Sequence, residues 1–419
     1  METTVKKNYK WIIFLITTLG YSLFYVCRLS INVVKKPIVD SGYLTETQLG
    51  IIGGTLFFSY AIGKFVNGFL ADRLNIRFLM AGGLLMAAIL NITLGFHVLF
   101  GVFVILWGIN GWVQSLGGPC SAIALNRWFG DKQRGTVYGF WSASHNIGEA
   151  FTFIFIASIV SLAGWQYGFI NAGILGIVGA VLIFIFLKPF PQNASNDIRP
   201  TSQKEIGKNQ LGVLRNSSIW LLALASAFMY ISRYAVNSWG VYYFEVEKHY
   251  SILEASTLIS ISSVCGIIGT VSSGLLSDKL FKGQRYAPAC IASALNLIAL
   301  CLFLFIPNGG KIIDITAMVL FGISIGILIC YLGGLMAIDL APKTAAGAAV
   351  GVIGVASYMA AGIQDIMSGF FIESRKQIIN GVEVIDFSFI RLFWILSALA
   401  SLLLLIFIYY KHHKRAYSI

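Results

Sequence analysis

Twelve separate stretches of this chain are apolar over about twenty residues or more, the length an α-helix needs to cross the hydrocarbon core of a bilayer. They lie near 11–34, 47–70, 78–97, 99–124, 136–160, 165–187, 217–243, 252–276, 287–306, 313–340, 345–371 and 387–410. In lipid every backbone polar group must be satisfied internally, so a span is either a helix or a strand of a closed barrel. Barrel strands show short segments of alternating polarity, whereas these runs are continuous. The expectation is an all-α membrane protein with twelve transmembrane helices. Composition agrees, with 57% hydrophobic and 11% charged residues, where soluble domains are about a quarter charged. The 43 glycines suit helices packed closely in lipid.

The net charge of +12 raises the question of nucleic acid, and the placement of the charges answers it. Counting from the N-terminus, twenty Lys and Arg fall on the side of the termini, among them Lys10, Arg73, Arg77, Arg127, Arg134, Arg215, Lys279, Arg285 and Lys343. Only Lys35, Lys36, Lys248, Lys311, Arg375 and Lys376 fall on the other. The positive-inside rule then puts both termini in the cytoplasm. The excess charge is topological and lipid-facing, with no aromatic-interleaved basic groove, so no nucleic-acid partner is expected. The six cysteines lie in or beside spans without metal-ligand spacing and read as buried thiols.

Residues 189–215 form one long polar segment, a cytoplasmic linker between an N-terminal six-helix bundle (1–188) and a C-terminal one (216–419). The halves repeat. Gly68-Phe-Leu-Ala-Asp72-Arg73 after span 2 returns as Gly274-Leu-Leu-Ser-Asp278-Lys279 after span 8. Tyr25-Val-Cys-Arg28 in span 1 is echoed by Tyr230-Ile-Ser-Arg233 in span 7. Counted from the last basic residue before each span, Lys10 and Arg215, both arginines sit at the same depth, roughly 27 Å along their helices. Two pseudo-symmetric six-helix halves with a site at their interface describe a secondary transporter.

A charge inside a membrane costs about 2.5–3.5 kcal/mol on insertion scales, so each one asks for a reason. Four basic residues fall within spans: Arg28, Lys64, Arg233 and Arg391, the last close enough to a helix end to snorkel outward. His145 lies near the midplane. Few acids are at hand to pair them: Glu149 one turn from His145, and Asp365 in span 11. An anionic ligand in a wet cavity is the better partner for the surplus, since an unpaired buried charge is costly. Two arginines suit a phosphate, which takes planar bidentate hydrogen bonds. Tyr21 and Tyr25 share a helical face with Arg28, Tyr60 precedes Lys64 by one turn, and Tyr230 precedes Arg233. Such tyrosines can line a polar cavity and bond oxygens of a sugar or phosphate. No metal-ligand spacing, nucleophile elbow or phosphate-binding glycine loop is present, so neither an enzyme nor a cofactor is expected.

These residues carry a resemblance. The loop motif around Asp72 and its partner around Asp278 resemble those after helices 2 and 8 of the major facilitator superfamily. Phe24-Tyr-Val-Cys-Arg28, Ser59-Tyr-Ala-Ile-Gly-Lys64, Ser144-His-Asn-Ile-Gly148, Tyr230-Ile-Ser-Arg233-Tyr and Leu340-Ala-Pro-Lys343 together resemble the organophosphate:inorganic phosphate antiporter family, over essentially the whole chain. The resemblance implies the major facilitator fold around a central cavity and exchange of a sugar phosphate, glucose-6-phosphate above all, for inorganic phosphate in a bacterial inner membrane. It implies that Arg28 and Arg233 bind the phosphoryl group, that Lys64 and His145 assist, and that Tyr21, Tyr25 and Tyr60 line the cavity. Asp72, Arg73, Asp278 and Lys279 would make or break cytoplasmic gate contacts, and the expected working unit is a monomer.

Three departures stand out. Gly117-Gly118-Pro119 replaces the Gly-Trp-Pro common in helix 4 of the family, Glu149 replaces a small residue, and Gln364-Asp365 resembles the hexose-phosphate branch and its sensor-like members. Asp365 is therefore expected to accept hydrogen bonds from sugar hydroxyls. Glu149 opens a proton-coupled symport as an alternative to exchange, and a non-transporting glucose-6-phosphate sensor would use the same binding residues.

Overall fold

A computed structural model describes residues 2–188, 203–306, 310–342, 345–379 and 382–416. Its N-terminal half comprises α1 (Glu2–Asp40), α2 (Glu46–Arg73), α3 (Ile76–Leu94), α4 (Phe100–Gln114), α5 (Gly117–Trp128), α6 (Asp131–Ser142), α7 (Ser144–Ala163) and α8 (Trp165–Phe186). After α9 (Gln203–Arg215) come α10 (Ser217–Val246), α11 (Ile252–Leu275), α12 (Tyr286–Phe305), α13 (Lys311–Cys330), α14 (Met336–Asp339), α15 (Ala346–Ser374) and α16 (Ser388–Ala416). A short antiparallel hairpin, β1 (Lys376–Ile379) and β2 (Val382–Ile385), precedes α16. Twelve segments among the described residues are long and apolar enough to cross a membrane, as the hydropathy requires. The chain is a multi-pass integral membrane protein.

Four of these spans are interrupted. The fourth changes from α4 to α5 at Ser115 and Leu116, the fifth from α6 to α7 at Ala143, and the eighth and tenth pass through π-helical turns at Leu276–Leu280 and Tyr331–Leu335. A break frees backbone carbonyls that lipid cannot satisfy, so side chains must. Asn67 of α2 donates to Trp112 O (3.0 Å) and to Ser115 Oγ (2.7 Å). Tyr331 donates to Ser273 O at 2.7 Å. At Ala143 the N–H bonds Phe140 three residues back, and His145 Nδ1 donates to the freed Ser142 carbonyl at 2.5 Å.

The linker is not wholly irregular. Its second part forms α9, with Val213 buried, and 189–202 lie outside the described residues. The first helix also runs past the expected end of its span, through Pro37 to Asp40. Lys35, counted above as lying beyond span 1, is therefore helical and fully buried.

The halves meet along α2 against α15, α7 against α11, and α1 against α10. Glycines let the first pair approach. A Cβ on Gly53 would fall 1.8 Å from Asp365 Oδ2, and one on Gly369 would fall 2.2 Å from Glu46 O. This seam lies at the ends of α1, α10 and α15 and the start of α2, the side away from the termini. Overpacking such a seam costs about 1–3 kcal/mol. Gly53→Val is expected to lower thermal stability in detergent by that order and to raise thiol labelling of a cysteine placed at Asn32.

Candidate functional site

Arg28 and Arg233 face the interface from α1 and α10, 3% and 5% exposed. Arg28 lies in a cage of rings, with Tyr60 at 4.5 Å, Phe57 at 5.4 Å, and Tyr25 and Tyr358 each at 5.5 Å from its guanidinium carbon. Ring faces attract a cation, by ~2 kcal/mol or more where water is excluded. Its Nη2 donates to Tyr234 Oη at 3.4 Å, while its buried Nε has no hydrogen-bond partner. No carboxylate pairs with it among the described residues.

Arg233 is held differently. It stacks near Tyr234 (5.3 Å) and Tyr230 (5.7 Å), and its Nη2 is 3.5 Å from Glu149 Oε2. Glu149 belongs to the opposite half and also accepts from Asn237 Nδ2 at 2.5 Å and Ser263 Oγ at 2.9 Å. The sequence makes the arginines look equivalent, and the tertiary structure makes them unequal: one carries an internal counter-charge.

Lys64 is exposed although well inside α2, with its ammonium 5.4 Å from the Tyr358 ring. His145 lies 5.8 Å, ring to ring, from Tyr25. Because a carbonyl only accepts, the bond to Ser142 places a proton on Nδ1 and leaves Nε2 free to accept or bind a second proton. Tyr21 packs on Tyr25 (5.5 Å) and on Trp141 (4.9 Å). It also lies over Gly118, which stands at the tryptophan position of the Gly-Trp-Pro pattern: a Cβ there would come 3.8 Å from the Tyr21 hydroxyl.

Two tyrosines escaped the sequence reading as site residues. Tyr358 of α15 packs on Tyr60 (4.5 Å) and Tyr230 (5.5 Å), joining both halves through one ring. Its own helix carries no basic residue to mark it, so a pairing rule within one helix had nothing to find. Tyr234 bonds Arg28 across the interface, and adjacency to Arg233 was its one signal.

Asp365 departs from expectation. It is 1% exposed, and its Oδ1 accepts from Ser238 Oγ (2.5 Å), Trp239 Nε1 (2.6 Å) and Lys35 Nζ (3.3 Å). Lys35 also lies 3.8 Å from the Trp239 ring. Spent on this buried latch, Asp365 does not line the cavity in this conformation. The outer layer of the same closure joins Lys376 of β1 to Glu46 of α2 and Glu383 of β2, each at 2.8 Å, with Tyr242 Oη donating to Glu46 at 2.5 Å. Arg391, expected to snorkel, instead bonds Tyr243 Oη (2.9 Å) and pairs with Glu247. On the side of the termini, Arg73, Asp278 and Lys279 are exposed, and no ion pair among the described residues joins the halves there. The side chain of Asp72 lies outside the described residues. The molecule is thus latched away from its termini.

Comparison with known proteins places this geometry. The model of the Major Facilitator Superfamily matches residues 11–364. The chain belongs to that superfamily, in its organophosphate:phosphate antiporter branch. A probable hexose phosphate transport protein of Chlamydia pneumoniae is 33% identical over 394 residues, covering 86% of this chain and 85% of that protein. Membrane sensor protein UhpC of Salmonella typhimurium is 31% identical, covering 82% and 81%. Among solved structures, a bacterial homolog of the human lysosomal transporter Spinster, inward-facing and unoccupied, superposes with a TM-score of 0.75 at 16% identity, covering 96% of this chain and 95% of that one. That likeness bears on the fold alone. The fold and relatives are those of carriers, and the chain is not an enzyme.

Removing one partner of a buried ion pair costs about 3–5 kcal/mol, because the other charge stays buried and unpaired. Asp365→Asn is therefore expected to destabilise the latched form by that order, and adding Lys35→Met to recover most of it. Unfolding of the single and double variants in detergent checks this.

Proposed function

We propose that the protein exchanges a phosphorylated sugar, best represented by glucose-6-phosphate, for inorganic phosphate by alternating access. The observation that carries this reading is Arg28: a buried guanidinium in an aromatic cage, with a free Nε and no carboxylate partner among the described residues. Asp365 is engaged by Lys35 and Glu149 by Arg233, so the positive surplus expected from the sequence persists around Arg28 and Lys64. A phosphate dianion meets that surplus with the bidentate geometry a guanidinium favours. The similarity to a hexose phosphate carrier supports the substrate class.

In this reading phosphate enters from the side of the termini and bonds Arg28 and Arg233, with Lys64 and His145 assisting. Tyr21, Tyr25, Tyr60 and Tyr230 shape the cavity. Drawing the halves together on that side brings Asp72 and Arg73 toward closure of one half, and Asp278 and Lys279 of the other, while the Lys35–Asp365 latch opens. A ligand drives such a change only through unequal affinity for the two states, and bridging both arginines supplies it. Both termini face the cytoplasm of a bacterial inner membrane, and the monomer is the working unit.

Proteoliposomes preloaded with phosphate are expected to take up glucose-6-phosphate, and Arg28→Lys to reduce that uptake at least ~30-fold, in line with the ~2–5 kcal/mol for truncating a buried charged hydrogen bond. Uptake that needs no internal anion, or that survives the substitution, overturns the proposal. The similarity to a sensor favours a second reading, in which the same site binds glucose-6-phosphate and signals without moving it. Binding without counterflow distinguishes that case.

A further inference from the structure

We infer that the chain carries a second subsite, built on Glu149, for the uncharged, hydroxyl-bearing part of a phosphate ester, and that this subsite turns away ligands with a second negative group. The inference rests on the organophosphate reading of the arginine site and deepens it.

A narrow cavity, with room for water-sized groups in this conformation, lies where α7 of one half meets α10, α11 and α13 of the other. Its polar wall holds Asn146, Glu149 and Asn237, and Phe321 and Ile325 form an apolar wall. All three polar residues are more than nine-tenths buried. Asn146 Nδ2 and Asn237 Oδ1 have no hydrogen-bond partner, and Glu149 Oε2 makes no hydrogen bond beyond its 3.5 Å ion-pair contact with Arg233. Buried polar atoms left without partners are rare and call for an explanation. Here one donor and two acceptors border a single cavity, a set that neighbouring hydroxyls satisfy because each hydroxyl both donates and accepts.

Position links this cavity to the phosphate. Arg233 lines it, 3.5 Å from Glu149 Oε2, and its neighbour Tyr234 bonds Arg28. An ester whose phosphate is held by the arginines therefore places its next carbons against Glu149. A hydroxyl there gains a carboxylate acceptor. A carboxylate there meets a like charge away from water, which costs several kcal/mol.

The test is competition for radiolabelled inorganic phosphate bound to the purified full-length protein in detergent, which reads carrier and sensor alike. Glucose-6-phosphate is expected to displace phosphate at ~10-fold lower concentration than 3-phosphoglycerate, or better. Glu149→Gln keeps the shape and removes the charge. It is expected to tighten 3-phosphoglycerate and free phosphate, the latter because Arg233 loses its counter-charge, and to weaken glucose-6-phosphate severalfold. Equal competition by the two esters in the unsubstituted protein overturns the subsite without any variant. A shift of all three ligands by one common factor in Glu149→Gln also overturns it, since that marks a role limited to Arg233. Failure to bind phosphate at all removes the organophosphate reading itself, and the subsite with it.

Discussion

The rest of the structure is arranged around the cost of keeping Arg28 charged away from water. Desolvating a guanidinium is expensive, and the protein offsets it with four ring faces drawn from α1, α2 and α15 and one hydroxyl from α10. None of these partners is an anion, so the charge is tolerated rather than cancelled. Each ring also belongs to a packing chain, as Tyr60 on Tyr358 and Tyr358 on Tyr230 show. The cation thereby holds together elements of both halves, and whatever anion displaces its present contacts acts on both at once.

Arg233 illustrates the opposite solution. Glu149 reaches it from the other half, supported by Asn237 and Ser263, so this arginine is paired before any ligand arrives. Relative to two bare arginines, the empty site loses one unit of positive charge and the interface gains a polar tie at its centre. The same logic closes the far side, where Lys35 and Asp365 are both buried and sit among Ser238 and Trp239. Backbone approach at Gly53 is what brings that carboxylate within reach. Small residues and buried charge pairs work together here: the former set the distance and the latter give the contact a defined register.

The twelve spans were legible because lipid imposes a length and a polarity that a one-dimensional pattern can display. The arginines, Lys64 and His145 were legible for a related reason, being charges or polar rings where such patterns forbid them. The interruptions at Ala143 and at Tyr331–Leu335 were not, since hydropathy averaged over a whole span does not register a local break, and the break is sustained by side-chain bonds such as His145 to Ser142. The β1–β2 hairpin and α9 fall in segments whose polarity says only that they lie outside the bilayer. Lys35 was misplaced by a few residues because hydropathy ends a helix at its first charges, whereas α1 carries those charges inward to a partner on α15.

Sequence by itself determined the fold class, the two-fold repeat and the identity of the chemically unusual residues, because each depends on local composition set against a uniform solvent. Only the tertiary structure decided how the charges are shared: Glu149 with Arg233, Asp365 with Lys35, and Arg28 with rings and one tyrosine hydroxyl. The two ion pairs join residues more than eighty positions apart. Electrostatic energy depends on separation in space and on the exclusion of water, and neither is written in the order of the residues.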